Sequence, residues 1–423
     1  MSVLLFSVLA LLIVINVPVA IALAIASIAV FVVSGNIPLL IVPQKMFAAL
    51  DSFPLMAAPF FILAGKLMEH GGISERLIKF ANSLVGSVKG GLAYVSIIAC
   101  CFFAAISGSA TATTAAVGGI LIPAMVKAGY DRSFATAVQA AAGTTGIIIP
   151  PSVPMVMYGV SAGVSISSLF LAGAIPGILI GLSLMAVSYF IMRNQNLAGS
   201  AEKISFKNVW NAFRQSVLAI LMPVIILGGI YSGIFTPTEA SVVAVVYGLI
   251  IGIFVYRLIN LKVLREILVQ SVVTTSVILL MTSTASLFGM VLTRERVPQT
   301  VAGFFESADM HPIVVILLIN LFLLIVGTFM EAIASIIILT PILLPIATGA
   351  GLDPIHFGVI MVTNLAIGLL TPPVGLSLFV GSQIGNVKFE KLVRAVVPFL
   401  IMMIVDVLLI SFIPELTLIQ FIK

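Results

Sequence analysis

Hydrophobic residues along the chain fall into long unbroken runs. In the first half they occupy residues near 2–15, 18–34 and 54–68, and resume over 92–126, 134–163 and 168–192. In the second half they occupy 216–235, 239–259 and 271–291, and resume over 313–346, 356–385 and 395–417. Runs of this length match the helix needed to cross a hydrocarbon core of ~30 Å. A membrane β-barrel would show short alternating segments instead. Two polar, amphipathic stretches, 73–90 and 293–310, interrupt the pattern at corresponding places, and the long polar segment 193–215 separates the halves. Their charged faces suit helices lying in the membrane interface.

Two apolar runs carry residues that break a spanning helix. "GTTGIIIPPSVP" (143–154) sits inside 134–163, and "GLLTPPV" (368–374) sits inside 356–385. Irregular backbone at membrane depth survives only where it is buried in protein or lines a cavity. The recurrence is not accidental. Displaced by 222 residues, the chain matches itself at Pro123/Pro345, Ala128/Ala350, Gly129/Gly351, Asp131/Asp353, Gly146/Gly368, Pro150/Pro372, Pro151/Pro373, Gly159/Gly381, Gly163/Gly385 and Pro176/Pro398. Gly and Pro dominate these matches, so backbone shape is what repeats.

The runs 92–126 and 313–346 are too long for one span and have polar or small residues at their centres, "SGSATATT" (107–114) and "GTFMEAIAS" (327–335). Each reads as a re-entrant helical hairpin with arms of roughly 18–22 Å at ~1.5 Å per residue. The predicted architecture is an all-α polytopic membrane protein. Two inverted-topology repeats, 1–192 and 216–423, each carry a hairpin and a broken helix and are joined by a cytoplasmic linker at 193–215. Sixteen of the 20 Lys and Arg residues fall in 66–90, 127–132, 193–214, 257–265 and 388–394, which this topology places on one face; only Lys45, Arg294, Arg296 and Lys423 fall on the other. Positive charge marks the cytoplasm, so both termini are expected in the periplasm.

Composition agrees with this class. The chain is 61% hydrophobic and 8% charged, with mean hydropathy +1.29, against about 25% charged in soluble domains. The net charge of +5 is spread over loops and does not suggest nucleic acid. Cys100 and Cys101 are adjacent in an apolar run and read as buried thiols. No His, Cys and carboxylate cluster has metal-ligand spacing. The first run lacks a basic segment before it and reads as a retained membrane helix.

Inverted repeats with paired broken helices point to a secondary transporter with its site near the bilayer midplane. A break exposes carbonyls suited to Na⁺ and amide N–H groups suited to a carboxylate. The first candidate Na⁺ site combines the tip residues Ser107, Gly108, Ser109 and Thr111 with Gly143, Thr144, Thr145 and Gly146. The second combines Gly327, Thr328 and Glu331 with Gly368, Thr371 and Pro372. Thr113, Pro150, Pro151, Asn364 and Gln383 are expected to line a substrate cavity. Small and hydroxylated residues also serve simply to pack helices. An ionisable residue at bilayer depth is a functional candidate, and Glu331 is read as an ion ligand, a proton carrier or a carboxylate held by backbone N–H groups. Asp406 is read as a packing or interface residue.

Five stretches carry a specific resemblance: "LDSFPLMAAPFFILAGKLME" (50–69), "SGSATATTAAVGGILIPAMVKAGYD" (107–131), "IIPPSVPMVMYG" (148–159), "GIFTPTEASVVAVVYGL" (233–249) and "NLAIGLLTPPVGLSLFV" (364–380). Together, end to end, the chain resembles the large membrane subunit of the tripartite ATP-independent periplasmic (TRAP) transporters. The resemblance implies an elevator-type fold of the ion-transporter superfamily in the bacterial inner membrane. It implies uptake of an organic acid such as a C4-dicarboxylate or sialic acid, with Na⁺ as coupling ion. It also implies a periplasmic substrate-binding protein and a small four-helix membrane subunit, expected here as a separate chain. Ser107, Ser109 and both breaks match positions where the family places Na⁺.

Other readings stand beside this one. A stand-alone Na⁺/dicarboxylate symporter or Na⁺/H⁺ antiporter would need no partners, and the "FTPTEA" turn argues against it. Asp131 and Asp353 superficially suggest the aspartyl pair of an intramembrane hydrolase, yet the inverted topology sets them on opposite faces. No H-E-x-x-H and no P-loop occurs, so neither a metalloprotease nor an ATP-driven pump is indicated.

Overall fold

The computed structural model describes residues 1–35, 38–193, 205–307 and 310–418. Among these, the elements are helical throughout, and eight helices are long and apolar enough to cross a membrane. The first half contains α1 (Ser2–Val14), α2 (Val19–Ser34), α3 (Ile41–Ala48), α4 (Ala57–His70), α5 (Ile73–Val85), α6 (Gly91–Ser107), α7 (Ala110–Lys127), α8 (Arg132–Gly143), α9 (Val153–Ala162) and α10 (Ile166–Met192). The second contains α11 (Phe206–Tyr231), α12 (Pro237–Ile250), α13 (Leu261–Arg294), α14 (Val297–Ser307), α15 (Pro312–Phe329), α16 (Ala332–Gly349), α17 (Pro354–Gly368), α18 (Leu376–Gly385), α19 (Phe389–Phe412) and α20 (Glu415–Leu418).

The repeated residues do repeated backbone work. Asp131 caps α8 by accepting from Phe134 N at 2.8 Å, and Asp353 caps α17 by accepting from Ile355 N at 2.8 Å. A side-chain oxygen there satisfies amides that a helix start leaves unpaired. Just before each cap, Gly129 and Gly351 adopt φ of +90° and +91°, a conformation that favours glycine. The turns close alike, with Tyr130 N donating to Met125 O and Leu352 N to Ala347 O, both at 3.0 Å. The Pro150–Pro151 and Pro372–Pro373 bonds are both cis.

The two broken helices lie side by side and antiparallel. At one end Arg132 Nη1 donates to Gly385 O at 3.2 Å. At the other, the Tyr158 hydroxyl donates to Pro354 O at 2.6 Å and its ring meets Phe357 edge-on. Around this centre, α4 packs on α12 and α13, and α2 packs on α13, as an apolar framework. Amphipathic α5 buries Ile73, Leu77, Ile78 and Ala81 while Glu75 and Lys79 stay exposed. It lies between framework helix α11 and hairpin arm α6, and α14 packs on α16 of the other hairpin.

Two boundaries differ from the hydropathy reading. Helix α11 starts at Phe206, inside the segment read as linker; residues 194–204 of that linker lie outside the described residues. The polar character there conceals an aromatic stripe, with Phe206 stacked on Trp210, Trp210 on Phe213, and Phe213 against Phe80 of α5. Helix α13 starts ten residues before the apolar run, because Asn260 caps it through Val263 N at 3.0 Å.

Candidate functional site

The segment 92–126 is two helices, α6 and α7, that turn at Gly108 and Ser109. Gly108 closes α6 with φ of +58°, which favours glycine, and Ser109 opens α7 as its N-cap. The turn is knitted by hydroxyls. Thr113 Oγ1 donates to Ser109 O at 2.7 Å and lies 2.8 Å from Ser107 Oγ. Ser109 Oγ lies 3.3 Å from Thr111 Oγ1 and accepts weakly from Ala112 N at 3.4 Å.

This tip sits directly on the first break. A Cβ on Gly108 would stand 3.3 Å from Pro151 O and 3.2 Å from Val153 N. One on Gly146 would collide with Ser109 O and stand 2.6 Å from Thr113 Oγ1; one on Gly143 would collide with the Thr114 side chain. These glycines are therefore the condition for tip and break to meet. Framework helix α4 comes equally close: a Cβ on Gly65 would lie 3.2 Å from Ser107 O. Among the described residues, the junction carries neutral oxygens and no charged side chain. Hydroxyls and carbonyls of this kind are hard donors for a small cation.

Not every predicted ligand points into the junction. Thr144 turns its hydroxyl to Ala141 O at 2.6 Å and faces Met403 Sδ of α19 at 3.8 Å. Thr145 bonds Ala142 O at 2.7 Å. Both close the last turn of α8, because a threonine hydroxyl readily bonds the carbonyl three or four residues back. Ser152, which hydropathy did not single out, bridges the break: its hydroxyl donates to Ile147 O at 2.6 Å and accepts from Met155 N at 3.3 Å. Its signal is a serine one residue before a Val-Pro helix start.

The second hairpin follows the same plan with different chemistry. Helices α15 and α16 turn at Met330 and Glu331, and Glu331, 222 residues after Ser109, is the N-cap of α16. Its Oε2 accepts from Ile333 N at 2.8 Å and Ala334 N at 3.2 Å, so one carboxylate oxygen is committed to the helix start while the residue itself is exposed. Gly327 and Gly368 bring the hairpin and the second break together, since a Cβ on either would press on the backbone of the other. Thr328 and Thr371 bond Ile325 O and Ile367 O within their own helices, at 2.7 and 2.8 Å. Thr371 and Pro372 are half-buried and Pro373 is exposed, whereas the first break is buried almost throughout.

Each break meets its own hairpin through its first half: α8 packs on α6 and α7, and α17 packs on α15 and α16. The second halves cross over. Helix α9 packs on α16, and α18 packs on α7. Each half is also clasped by an amide. Gln139 of α8 accepts from Ser96 Oγ at 2.5 Å and donates to Thr114 O and Cys100 Sγ of the two hairpin arms, at 3.4 and 3.2 Å. Asn364 of α17 donates to Asn320 Oδ1 of α15 at 2.8 Å. Asn320 also accepts from Ser411 of α19 at 3.2 Å, and the Ser411 carbonyl lies 3.4 Å from His356 Nε2.

The expected cavity is not assembled from the residues proposed for it. Thr113, Pro150, Pro151 and Asn364 are buried in helix contacts, and Gln383 is exposed near the far end of α18. A pocket of about 410 Å³ lies elsewhere, among Phe53, Gly163, Ser165 and Thr236. Asp131 and Asp353 are helix caps at opposite ends of the paired broken helices, so they form no aspartyl pair.

A many-spanned helical bundle with two broken helices, each packed on a helical hairpin, is the architecture of a membrane transporter rather than a simple channel. The family model for the tripartite ATP-independent periplasmic transporter, DctM component, matches residues 6–416, and the chain belongs to that family. It is 47% identical over 410 residues to the isethionate TRAP transporter permease protein DctMQ of Oleidesulfovibrio alaskensis, covering 97% of this chain and 65% of that protein; the chain thus spans about two thirds of that relative. It is 42% identical over 401 residues to the sialic acid TRAP transporter large permease protein SiaM of Vibrio cholerae, covering 95% and 94% of the two chains. Its fold is similar to the crystal structure of the Alcanivorax borkumensis YdaH transporter, with TM-score 0.63, 14% identity, and 90% and 87% coverage.

Proposed function

We propose that this chain is the permease of a Na⁺-coupled system that takes up an organic acid across the bacterial inner membrane. It receives substrate from a periplasmic binding protein and works with a small membrane subunit. The observation that carries this reading is the seating of the Ser109 and Thr113 oxygens on the first break at Gly146, with Ser107 Oγ 2.8 Å from Thr113 Oγ1 within the same tip. That junction offers uncharged hard oxygens beside irregular backbone, the combination by which broken helices hold Na⁺. The named relatives transport isethionate and sialic acid, which share an anionic group and a polar body, so the substrate class is a small organic anion. The exposed second tip and second break are the accessible side of the site, where α18 starts without a side-chain cap.

The inverted arrangement and the side assignment belong to the same proposal. Long-range contacts support it by joining segments assigned to one face. On the cytoplasmic face Ser216 bonds Arg76 O, and Arg76 stacks 3.5 Å over Tyr256. On the periplasmic face Thr238 bonds Phe53 O, and the terminal amine pairs with Glu295 at 3.4 Å. Helices α5 and α14 are then the arms that connect a fixed framework to a unit moving as an elevator.

The test is uptake into vesicles containing this chain and the small subunit, with N-acetylneuraminate and succinate as probes. Accumulation is expected only with an inward Na⁺ gradient and substrate-loaded binding protein. Uptake of free substrate at the same rate without the binding protein would instead establish a stand-alone symporter. Spin labels at Thr113 and Val245 test the motion: an elevator shifts the first relative to the second along the membrane normal between inward- and outward-facing conditions.

A further inference from the structure

Asp406 takes no part in the junction described above, and it is the ionisable side chain that packing explains least. It lies well inside α19 and is completely buried. Its Oδ2 faces the hydroxyl of Ser183 on α10, and its Oδ1 has no hydrogen-bond partner among the described residues. The serine cannot satisfy the carboxylate alone. Ser183 Oγ also stands 2.9 Å from Ile180 O, and a hydroxyl has one hydrogen to give to two acceptors. The pair is thus short of a donor or of a positive charge. Among the described residues, no such group is supplied by the elements packed on α19. Arg132 is bonded to Gly385 at the start of α8, Tyr189 and Arg193 lie at the end of α10, and His356 faces Ser411 and Thr417 at the start of α17. Helix α18 has no ionisable residue, Glu415 of α20 adds only negative charge, and Lys388, Glu390, Lys391 and Arg394 crowd the opposite end of α19. An uncompensated carboxylate so deep in a membrane protein is expensive, and such residues mark ion or proton paths.

We propose that Asp406 and Ser183 form a loading site for one monovalent cation, H⁺ or Na⁺, behind the first break. Met403, one turn before Asp406, is the residue that Thr144 of the break touches. Filling the site therefore bears on the same backbone that the transport reading uses, and the proposal rests on that reading only for its role in coupling. Binding at Asp406 stands or falls separately.

The experiment uses the purified chain in lipid nanodiscs, with radioactive sodium as one probe and a pH series of thermal unfolding as the other. Asp406→Asn keeps the shape and can still accept from Ser183, so it is expected to fold. If the cation is Na⁺, this variant binds one ion fewer per chain at saturation. If it is H⁺, the sodium count is unchanged and the pH response of the unfolding temperature seen in the wild type flattens. Ser183→Ala leaves the carboxylate in place and is expected to keep the count while weakening affinity about tenfold, or to move the pH response by about one pH unit. Equal sodium counts and equal pH responses for wild type and Asp406→Asn would overturn the proposal. A wild type that binds no sodium would instead remove Na⁺ coupling from the transport reading while the pH arm still reports on Asp406.

Discussion

The two hairpins share one backbone plan and differ in what fills it. Ser109 and Glu331 occupy the same cap position, yet one presents a neutral hydroxyl and the other a carboxylate. The first turn uses glycine at φ of +58° and lies against a buried break. The second uses Met330 in extended conformation, leaves Phe329 63% exposed, and faces a break that is partly open. The first hairpin is also tied to α8 through both of its arms by Gln139, whereas Asn364 ties only the first arm of the second. Equivalent folds have thus been divided into a closed, neutral junction and an open, acidic one.

The contrast is most severely broken by filling the glycine contacts. Gly146→Val and Gly368→Val each drive side-chain atoms into backbone or a hydroxyl at the tip, and each is expected to lose about 3 kcal/mol or more of stability, the upper range for overpacking. Thermal unfolding in detergent measures this; a normal midpoint for either variant would show that tip and break do not touch.

Next in size is an effect confined to the first junction. Ser109→Ala removes a weakly engaged hydroxyl, and loss of a buried polar contact costs about 1–3 kcal/mol, roughly a 5- to 150-fold loss in apparent Na⁺ affinity of uptake at ~1.4 kcal/mol per decade. Thr145→Val is expected to change that affinity less, because the Thr145 hydroxyl already bonds Ala142 O. An equal effect of both would place the ion deeper in the break than the tip.

The clasps should then separate. Gln139→Leu strands the buried Ser96 hydroxyl and removes the bridge to Thr114 O and Cys100 Sγ, and is expected to cost about 1–3 kcal/mol. Asn364→Leu removes an amide whose Oδ1 is already unpartnered among the described residues and is expected to cost about 1 kcal/mol less than Gln139→Leu. Paired unfolding curves test the ranking. Smallest of all, Phe329→Ala at the exposed second tip should stay within about 0.5 kcal/mol of wild type in stability. A larger loss in unfolding midpoint would mean that this tip is packed rather than open.

Much of this could be read along the chain. The breaks, the hairpin positions and the matched residues Gly129, Asp131, Gly351 and Asp353 are signalled by Gly, Pro and capping side chains acting within a few residues. The aromatic start of α11 was hidden because hydropathy averages Phe206 and Trp210 with their polar neighbours. Glu331 is marked in the sequence as an ionisable residue at bilayer depth, and of the roles read for it the structure shows the carboxylate held by backbone N–H groups, at an exposed turn. Gln139 went unmarked because a glutamine in an alanine-rich helix has no distinguishing pattern.

By itself, the sequence determined that the protein spans a membrane with helices, where its two broken helices and hairpins turn, and which backbone positions recur 222 residues apart. These are consequences of local backbone chemistry: a proline lacks its N–H, a glycine permits positive φ, and an aspartate caps the amides just after it. The tertiary structure alone decided that α9 and α18 cross to the other half's hairpin, that Gln139 reaches both arms of its own, and that Ser183 meets Asp406 across 223 positions. Those pairings depend on which apolar faces fit, and Leu, Ile, Val and Ala are too interchangeable along a membrane helix for their order to announce the partner.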